Sequence, residues 1–415
     1  MADARSVKPR LLVLTSTLPR WENDSEPRFV LDLATALKER FEPVILAPMT
    51  KGAAPFERRN GVSIRRYRYA LFQSWERLAS PGAIMPNLRH RPWLYALVPG
   101  FFLAQLIAIV SLLKRERFDL VHCHWLIPQG FVLALASLFV TVPTTLVTCH
   151  GADAFTLDSA PFRRLKKWIL AKFDAVSVVS REITAKLIET SGRELSRPPV
   201  HIPMGVDVGR FSAPPIGDRT TPVILCAGRL AAKKGVDNLI AAIADPRIRA
   251  RGIKLRVVGD GPLLGDLIKL TAEFRIQDRV HFAGPLSHDQ LAQEMRSATL
   301  FCAPFVIAAD GDREGTPTVI LEAAASALPI IASDVGGCGE VVVNGKSGWL
   351  VPPGDVGPLV DAIEDALDHP DQARRYANAA CAQSQSYSWT AIAERHAAIL
   401  DELLTSSGWE FRNAA

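Results

Sequence analysis

The sequence predicts an α/β protein made of two doubly wound, Rossmann-like domains facing a cleft. Three observations predict it. A chain of 415 residues exceeds one ordinary domain. Short β-branched runs alternate with longer amphipathic segments, the order that yields parallel sheets with covering helices. The alternation also starts twice, on either side of a stretch rich in Pro, Gly and Ser.

The first series reads as strands at 11–14, 43–46, 120–123, 145–148, 175–179 and 200–202, with helical patterns at 29–38 and 161–172 between some of them. The second reads as strands at 223–227, 254–258, 280–282, 300–302, 329–331 and 349–351. The boundary falls near 204–215, with 210–219 as a linker, so the expected domains are 1–205 and 206–385. Residues 386–415 carry a terminal helix, 389–404, with Ile392, His396, Ile399 and Leu403 on one side. That helix either caps its own domain or crosses back to the first. Loose ends are expected at 1–7 and 406–415.

Hydrophobic residues make up 48% and charged residues 22%, the balance of a soluble chain with large cores. Six scattered cysteines form no C-x-x-C pair, so neither a zinc site nor a disulfide framework is suggested, and buried, reduced thiols in a cytoplasmic protein are expected. The apolar run 11–14 is too short for a signal-peptide core. Residues 1–205 hold 28 Lys and Arg against 17 Asp and Glu, whereas 206–415 hold 20 against 26. The halves therefore face different partners. The basic excess is densest in Arg58, Arg59, Arg65, Arg66, Arg68, Arg77, Arg89 and Arg91, and in Arg163, Arg164, Lys166 and Lys167. Between these groups, 93–113 is 21 residues without a charge, long enough to span a bilayer. Pro99, Gly100, Gln105 and Ser111 interrupt it and a strand follows, so a buried core helix is expected, with membrane contact as the alternative.

The densest chemistry is Asp310-Gly-Asp312-Arg-Glu314-Gly315-Thr316-Pro317-Thr318, running into a helix that carries Glu322. A Gly-Thr-Pro-Thr turn at a helix N-terminus presents backbone N–H groups that bind phosphate without a basic side chain. Carboxylates accept hydrogen bonds from vicinal hydroxyls, so Glu314 before the helix and Glu322 inside it would suit a sugar at one end and a ribose at the other. A second cluster, Gly228-Arg229-Leu-Ala-Ala-Lys233-Lys234-Gly235, puts cations between a strand end and a helix start, a place to hold a diphosphate. Glycine turns stand at Gly259-Asp260-Gly261-Pro262 and Gly336-Gly337, and neither is a dinucleotide fingerprint. In the first half, His150-Gly151-Ala-Asp153 follows a strand, and His122 and His124 alternate along another. That pair reads as packed or hydrogen-bonded rings ahead of a metal site. Asp310 and Asp312 resemble a metal-binding D-x-D, but the nearby cations compete for the diphosphate role, so no metal is expected.

Together these clusters resemble the retaining glycosyltransferases of family 4, with the GT-B fold, over 11–404. The acid-x7-acid signature matches Glu314 and Glu322, and G-R-L-x-x-x-K-G matches Gly228, Arg229, Leu230, Lys234 and Gly235. G-V-D-x-x-x-F matches Gly205, Val206, Asp207 and Phe211. V-G-D-G-P matches Val258 to Pro262, and H-G-x-D matches His150, Gly151 and Asp153. The resemblance implies that Glu314 contacts the donor hexose and Glu322 the ribose. It implies that Arg229 and Lys234 hold the diphosphate while His150 approaches the sugar from the opposite domain. Gly228, Gly261, Gly315, Thr316, Pro317 and Thr318 complete the donor site. The loop after the first strand departs from the family's paired glycines, reading Thr15-Ser-Thr-Leu-Pro-Arg20 and then Glu26-Pro-Arg28, so acceptor-side residues are not carried over.

The function expected is transfer of a hexose from a nucleotide diphosphate sugar, UDP- or GDP-linked, to a glycan or lipid-linked acceptor in exopolysaccharide or cell-envelope synthesis. The family implies front-side attack, with the departing phosphate taking the acceptor's proton. No cofactor and no nucleic-acid partner are expected. The location is cytoplasmic, with attachment to an anionic inner membrane face as a further expectation. A sugar-nucleotide epimerase of the same fold and a non-catalytic nucleotide-sugar-binding protein are the alternatives.

Overall fold

The computed structural model describes residues 8–80, 82, 84–191, 197–212 and 221–406. The loose end expected at 1–7, that expected at 406–415 except Ser406, which ends a helix, and the linker from 213 fall outside them. By internal contacts the chain divides into two units, Met1–Ile202 with Ile392–Ala415, and Pro203–Ala391.

The first unit is built on β1 (Arg10–Leu14), β2 (Glu42–Pro48), β3 (Phe56–Arg59), β4 (Val62–Tyr67), β5 (Leu120–His124), β6 (Thr144–Cys149), β7 (Ala175–Val178) and β8 (Val200–His201). They lie in the order β3-β4-β2-β1-β5-β6-β7-β8. All neighbours are parallel except β3 and β4. The central strands β1 and β5 are buried almost end to end, as continuous apolar runs are when helices cover both faces of a sheet. The β3–β4 hairpin has no counterpart among the expected strands. Asn60 and Gly61, both at positive φ (52° and 87°), make its two-residue turn.

That hairpin corrects the basic surface inferred from its arginines. Arg59 and Arg66 are buried and both pair with Glu57. Arg65 pairs with Glu116, and Arg68 with Glu76. Half of the first basic group is thus paired with three acids inside the unit, although only Arg59 and Arg66 of it are buried.

The 93–113 segment also differs from the buried helix expected. A 3-10 turn, Pro92–Leu97, leads into the helix Val98–Arg115, which buries one stripe only: Phe101, Gln105, Ile109 and Leu112. Leu103 and Ile107 are 58% and 59% exposed. A helix that is apolar all round does not disclose which face meets protein, and here β4 and the helix Phe131–Ala136 cover one side.

The second unit holds β9 (Val223–Ala227), β10 (Lys254–Val258), β11 (Val280–Gly284), β12 (Leu300–Ala303), β13 (Ile330–Ser333) and β14 (Trp349–Val351). The order is β11-β10-β9-β12-β13-β14, all parallel. Order reverses at β9, where one neighbour follows directly and the other comes from β12. Loops at the carboxyl ends of such strands form the crevice in which open α/β sheets bind ligands.

The segment Gly205 to Phe211 is explained by packing within this unit. A Cβ on Gly205 would collide with the Trp389 ring. The Val206 N–H donates to Tyr387 O at 2.8 Å, Asp207 caps the following turn at Arg210 N, and Phe211 is buried. Trp389 begins the terminal helix Trp389–Ser406, whose residues from Ile392 on belong to the first unit.

Candidate active site

In the second unit the loop after β9 and the loop before the Thr318–Ala325 helix meet through their charges. A short turn, Ala232–Lys234, carries two adjacent lysines and ends on Gly235 at φ +57°. A Cβ on Gly235 would run into Pro304 O, so only glycine lets the chain turn there. Lys233 Nζ lies 3.3 Å from Glu314 Oε1, and Lys234 Nζ lies 3.3 Å from Glu314 Oε2. Lys234 Nζ also sits 4.3 Å from the centre of the buried Phe305 ring. Lys233 makes a further pair with Asp312 at 3.3 Å.

Glu314 has 13% of its side chain exposed. Burial alone would push its pKa up, but the charges of Lys233 and Lys234 outweigh burial and hold it at about 2. Burial would likewise lower Lys233, and Glu314 and Asp312 reverse the sign and raise it. A fully ionised carboxylate and two ammonium groups are thus locked together beside a helix N-terminus.

The glycine turns fit backbone against backbone around this centre. A Cβ on Gly336 would strike Glu314 O, and the Gly337 N–H donates to Gly315 O at 2.6 Å. A Cβ on Gly261 would strike Leu230 O, while the Leu230 N–H donates to Asp260 O at 3.0 Å. Gly228 lies under the Lys234 stem, where a Cβ would come within 3.1 Å of Cε. Arg229 is half-buried in the same loop. Gly315, Thr316 and Pro317 are buried, and Thr318 opens the helix. Glu322, one turn in, is buried too, with His288 Nε2 3.8 Å from its Oε1.

The sequence-predicted donor residues Gly228, Lys234, Gly261, Glu314 and Gly315 are therefore drawn together, and Glu322 stands farther along the helix. Lys233 and His288 were missed. Adjacent lysines gave no sign that both would turn onto one carboxylate, and His288 comes from the start of a separate helix, His288–Ser297, capped by Ser287. In the Asp310–Asp312 turn, Asp310 Oδ1 accepts from the Asp312 N–H at 3.0 Å, and Asp312 also pairs with Lys233.

His150 lies in the first unit, in a cluster of imidazoles. His124 Nδ1 and His150 Nε2 are 3.0 Å apart, and His122 Nε2 is 2.7 Å from Thr148 Oγ1. His396, from the terminal helix, lies with its ring centre 5.5 Å from that of His122. Its Nδ1 is 3.0 Å from Ile392 O and must be the donor, because a carbonyl only accepts. Among the described residues, His122 Nδ1, His124 Nε2 and His396 Nε2 are buried without hydrogen-bond partners. A bare lone pair is cheaper to bury than an N–H, which assigns the protons to His122 Nε2 and His124 Nδ1. His150 then accepts at Nε2 and carries its own proton on Nδ1. Burial pushes His122 and His124 well below the usual range, His150 to about 3 and His396 to about 4, so the cluster is neutral at neutral pH.

Asp153 anchors the His150 loop. Its Oδ1 accepts from the His150 and Gly151 N–H groups at 3.0 Å each, and its Oδ2 accepts from Leu126 N at 3.1 Å. Trp125, at φ +73°, stacks its ring 4.8 Å from His150. A non-glycine residue held in that region stores strain, as functional loops commonly do.

Comparison with known proteins agrees with this architecture. The family described as Glycosyltransferase Family 4 matches residues 27–210, and Glycosyl transferases group 1 matches 212–383. Glycogen synthase from Mycobacterium tuberculosis is 30% identical over 290 residues, covering 68% of each chain. A GDP-mannose-dependent alpha-(1-6)-phosphatidylinositol monomannoside mannosyltransferase from Mycolicibacterium smegmatis is 32% identical over 212 residues, covering 48% of this chain and 54% of its own. Sucrose-phosphate synthase from Thermosynechococcus elongatus shares the fold, with a TM-score of 0.75 at 22% identity over 96% of this chain and 100% of that one. The chain is thus a nucleotide-sugar-dependent glycosyltransferase of the GT-B fold. Within that class it belongs to family 4, whose members retain the configuration of the donor sugar.

Proposed function

We propose that this enzyme transfers a hexose from a UDP- or GDP-sugar to a glycan or lipid-linked acceptor, in exopolysaccharide or cell-envelope glycan synthesis. The observation that carries the reading is Glu314, ionised and held by two lysines beside a helix N-terminus. In this reading Arg229 and Lys234 bind the diphosphate, the backbone N–H groups of Gly315, Thr316 and Thr318 extend its cradle, and Glu314 accepts from hexose hydroxyls. Gly228 and Gly261 let the loops close on the phosphates, and Glu322 accepts from the ribose. His150, with its proton on Nδ1, donates to the sugar. Cations and amides stabilise the charge that gathers on the leaving diphosphate, the largest contribution a site of this kind makes. The departing phosphate takes the acceptor's proton, so no protein base is required.

The names of the relatives support the acceptor class, since one acts on a phosphatidylinositol mannoside and another makes glycogen. Six free cysteines support a cytoplasmic setting. A thermal-shift screen of UDP-, GDP- and ADP-sugars tests the reading. A donor at 100 times its dissociation constant adds about 2.7 kcal/mol. Stabilisation by a UDP- or GDP-sugar, lost in Lys234→Ala, is the expected result, and no stabilisation by any nucleotide sugar would overturn the reading.

A further inference from the structure

The first unit carries an apolar surface that the transfer reaction does not use. The Pro92–Arg115 stretch is long and apolar enough to cross a membrane, yet only 22% of its most apolar window is buried. The buried stripe Phe101, Gln105, Ile109 and Leu112 is committed to the unit's interior, which a span would strip away. On the other side Leu103 and Ile107 are exposed, preceded by exposed Trp93 and Tyr95.

The surface continues beyond that helix. Phe102 meets Phe131 at 5.8 Å between ring centres, and Phe131 meets Trp168 at 6.3 Å. These three rings join Val98–Arg115 to the helices Phe131–Ala136 and Ala160–Leu170. Phe162 and Trp168 are exposed on the last of them.

Charge says what covers this surface. No acidic residue occurs between Glu76 and Glu116, or between Asp158 and Asp174. Exposed cations stand at the margins: Lys114, Arg115 and Arg117 at the end of the long helix, Arg164 on the third helix, and Lys172 with its Nζ 5.9 Å from the Trp168 ring centre. Aliphatic side chains flanked by Trp, Tyr, Lys and Arg, with no acid within 77–115 or 159–173 and Glu116 paired with Arg10 and Arg65, match the boundary of an anionic leaflet. Tryptophan and tyrosine settle at headgroup depth, and each nearby cation adds attraction. A protein interface also has an apolar, aromatic core with few charges, so it is the cations at the margin of the patch that point to an anionic lipid surface.

We propose that the outer face of Val98–Arg115, extended by Phe131 and Trp168, is a docking surface for an anionic lipid leaflet. Leu103 and Ile107 enter the acyl boundary, and Lys114, Arg115, Arg164 and Lys172 lie at the headgroups. The chain lies on the membrane and does not span it.

The test is co-sedimentation of the full chain with phosphatidylcholine vesicles, with and without phosphatidylglycerol, at low and high salt. Wild type is expected in the pellet with the anionic vesicles at low salt. The double variant Leu103→Asp/Ile107→Asp changes two exposed positions, so circular dichroism should be unchanged while vesicle partitioning falls about tenfold or more. Lys114→Ala/Arg115→Ala should weaken binding to anionic vesicles and reduce its salt dependence. Release of nucleoside diphosphate from donor, measured without lipid, separates failure of docking from failure of the glycosyltransferase reading. Wild type remaining in the supernatant with anionic vesicles, or pelleting equally with the Leu103→Asp/Ile107→Asp variant, would overturn the proposal. So would a lipid-free dimer that this variant dissociates, which would assign the face to a second copy.

Discussion

Replacing Glu314 by Gln keeps the shape of the side chain and removes its charge. In the folded enzyme its pKa is held at about 2, against an ordinary value of 4.5. That depression corresponds to roughly 3 kcal/mol in favour of the ionised form. The sign follows from the direction: the contribution is complete above the unfolded pKa and is lost as pH falls from about 4.5 through the folded value. At neutral pH the variant therefore leaves Lys233 and Lys234 with Asp312 alone as a counter-charge, and the second unit should lose about 2–3 kcal/mol. For a unit of this size that is a fall in Tm of roughly 5–10 °C. Lys234, now without its counter-charge, and Lys233, left with Asp312, should then gain more from a diphosphate than they do in the wild type. Added nucleoside diphosphate should raise the variant's Tm by more than the wild type's, while transfer falls about a hundredfold or more. Lys234→Ala should lose both the nucleotide stabilisation and the turnover. Scanning calorimetry with and without nucleotide, beside donor turnover, reads all of these. An unchanged Tm with near-normal turnover in Glu314→Gln would refute the idea that this ion cluster organises the donor site.

Glu322→Ala should raise the Michaelis constant for donor about tenfold or more while changing kcat little, because a ribose contact is made equally in ground and transition states. An unchanged constant would remove Glu322 from donor binding. His396 is 3% exposed and its pKa is depressed to about 4, so the folded state excludes a proton that the unfolded chain binds below about 6.5. The first unit should accordingly lose about 2 kcal/mol from this group alone between pH 7.5 and 5. His396→Leu should flatten that part of the urea-unfolding stability profile, and an unaltered slope would show that its burial is not coupled to folding. Chelator should leave activity intact, since Lys233, Lys234 and Arg229 supply cations at the site. Loss of activity restored by magnesium or manganese would contradict this.

Much of this was legible in the sequence because the central strands are continuous apolar runs, as in Leu11–Leu14 within β1 and Leu120–Cys123 within β5. Loops rich in glycine follow their counterparts in the second unit. What stayed hidden was hidden for physical reasons. The β3–β4 hairpin is written in arginines whose partners, Glu57 and Glu116, are not all near in sequence, so they read as surface charge. The Asn60–Gly61 turn was the one local signal of it. The Val98–Arg115 helix is apolar on every side, and periodicity cannot choose which stripe is buried. Glu314 and Lys234 were singled out by motif. That Lys233 shares the same carboxylate depends on how a 3-10 turn aims two neighbouring side chains, which spacing alone does not determine.

We propose that the second unit's lysine-held carboxylate and helix N-terminus bind a nucleotide sugar for retaining transfer. Proton NMR of the purified enzyme with the donor chosen by thermal shift, followed from the first turnover, tests it most directly. The expected result is release of nucleoside diphosphate together with a sugar that first appears in the donor's own anomeric configuration, and loss of both signals in Lys234→Ala. First appearance of the opposite anomer, or equal release by wild type and Lys234→Ala, would contradict it.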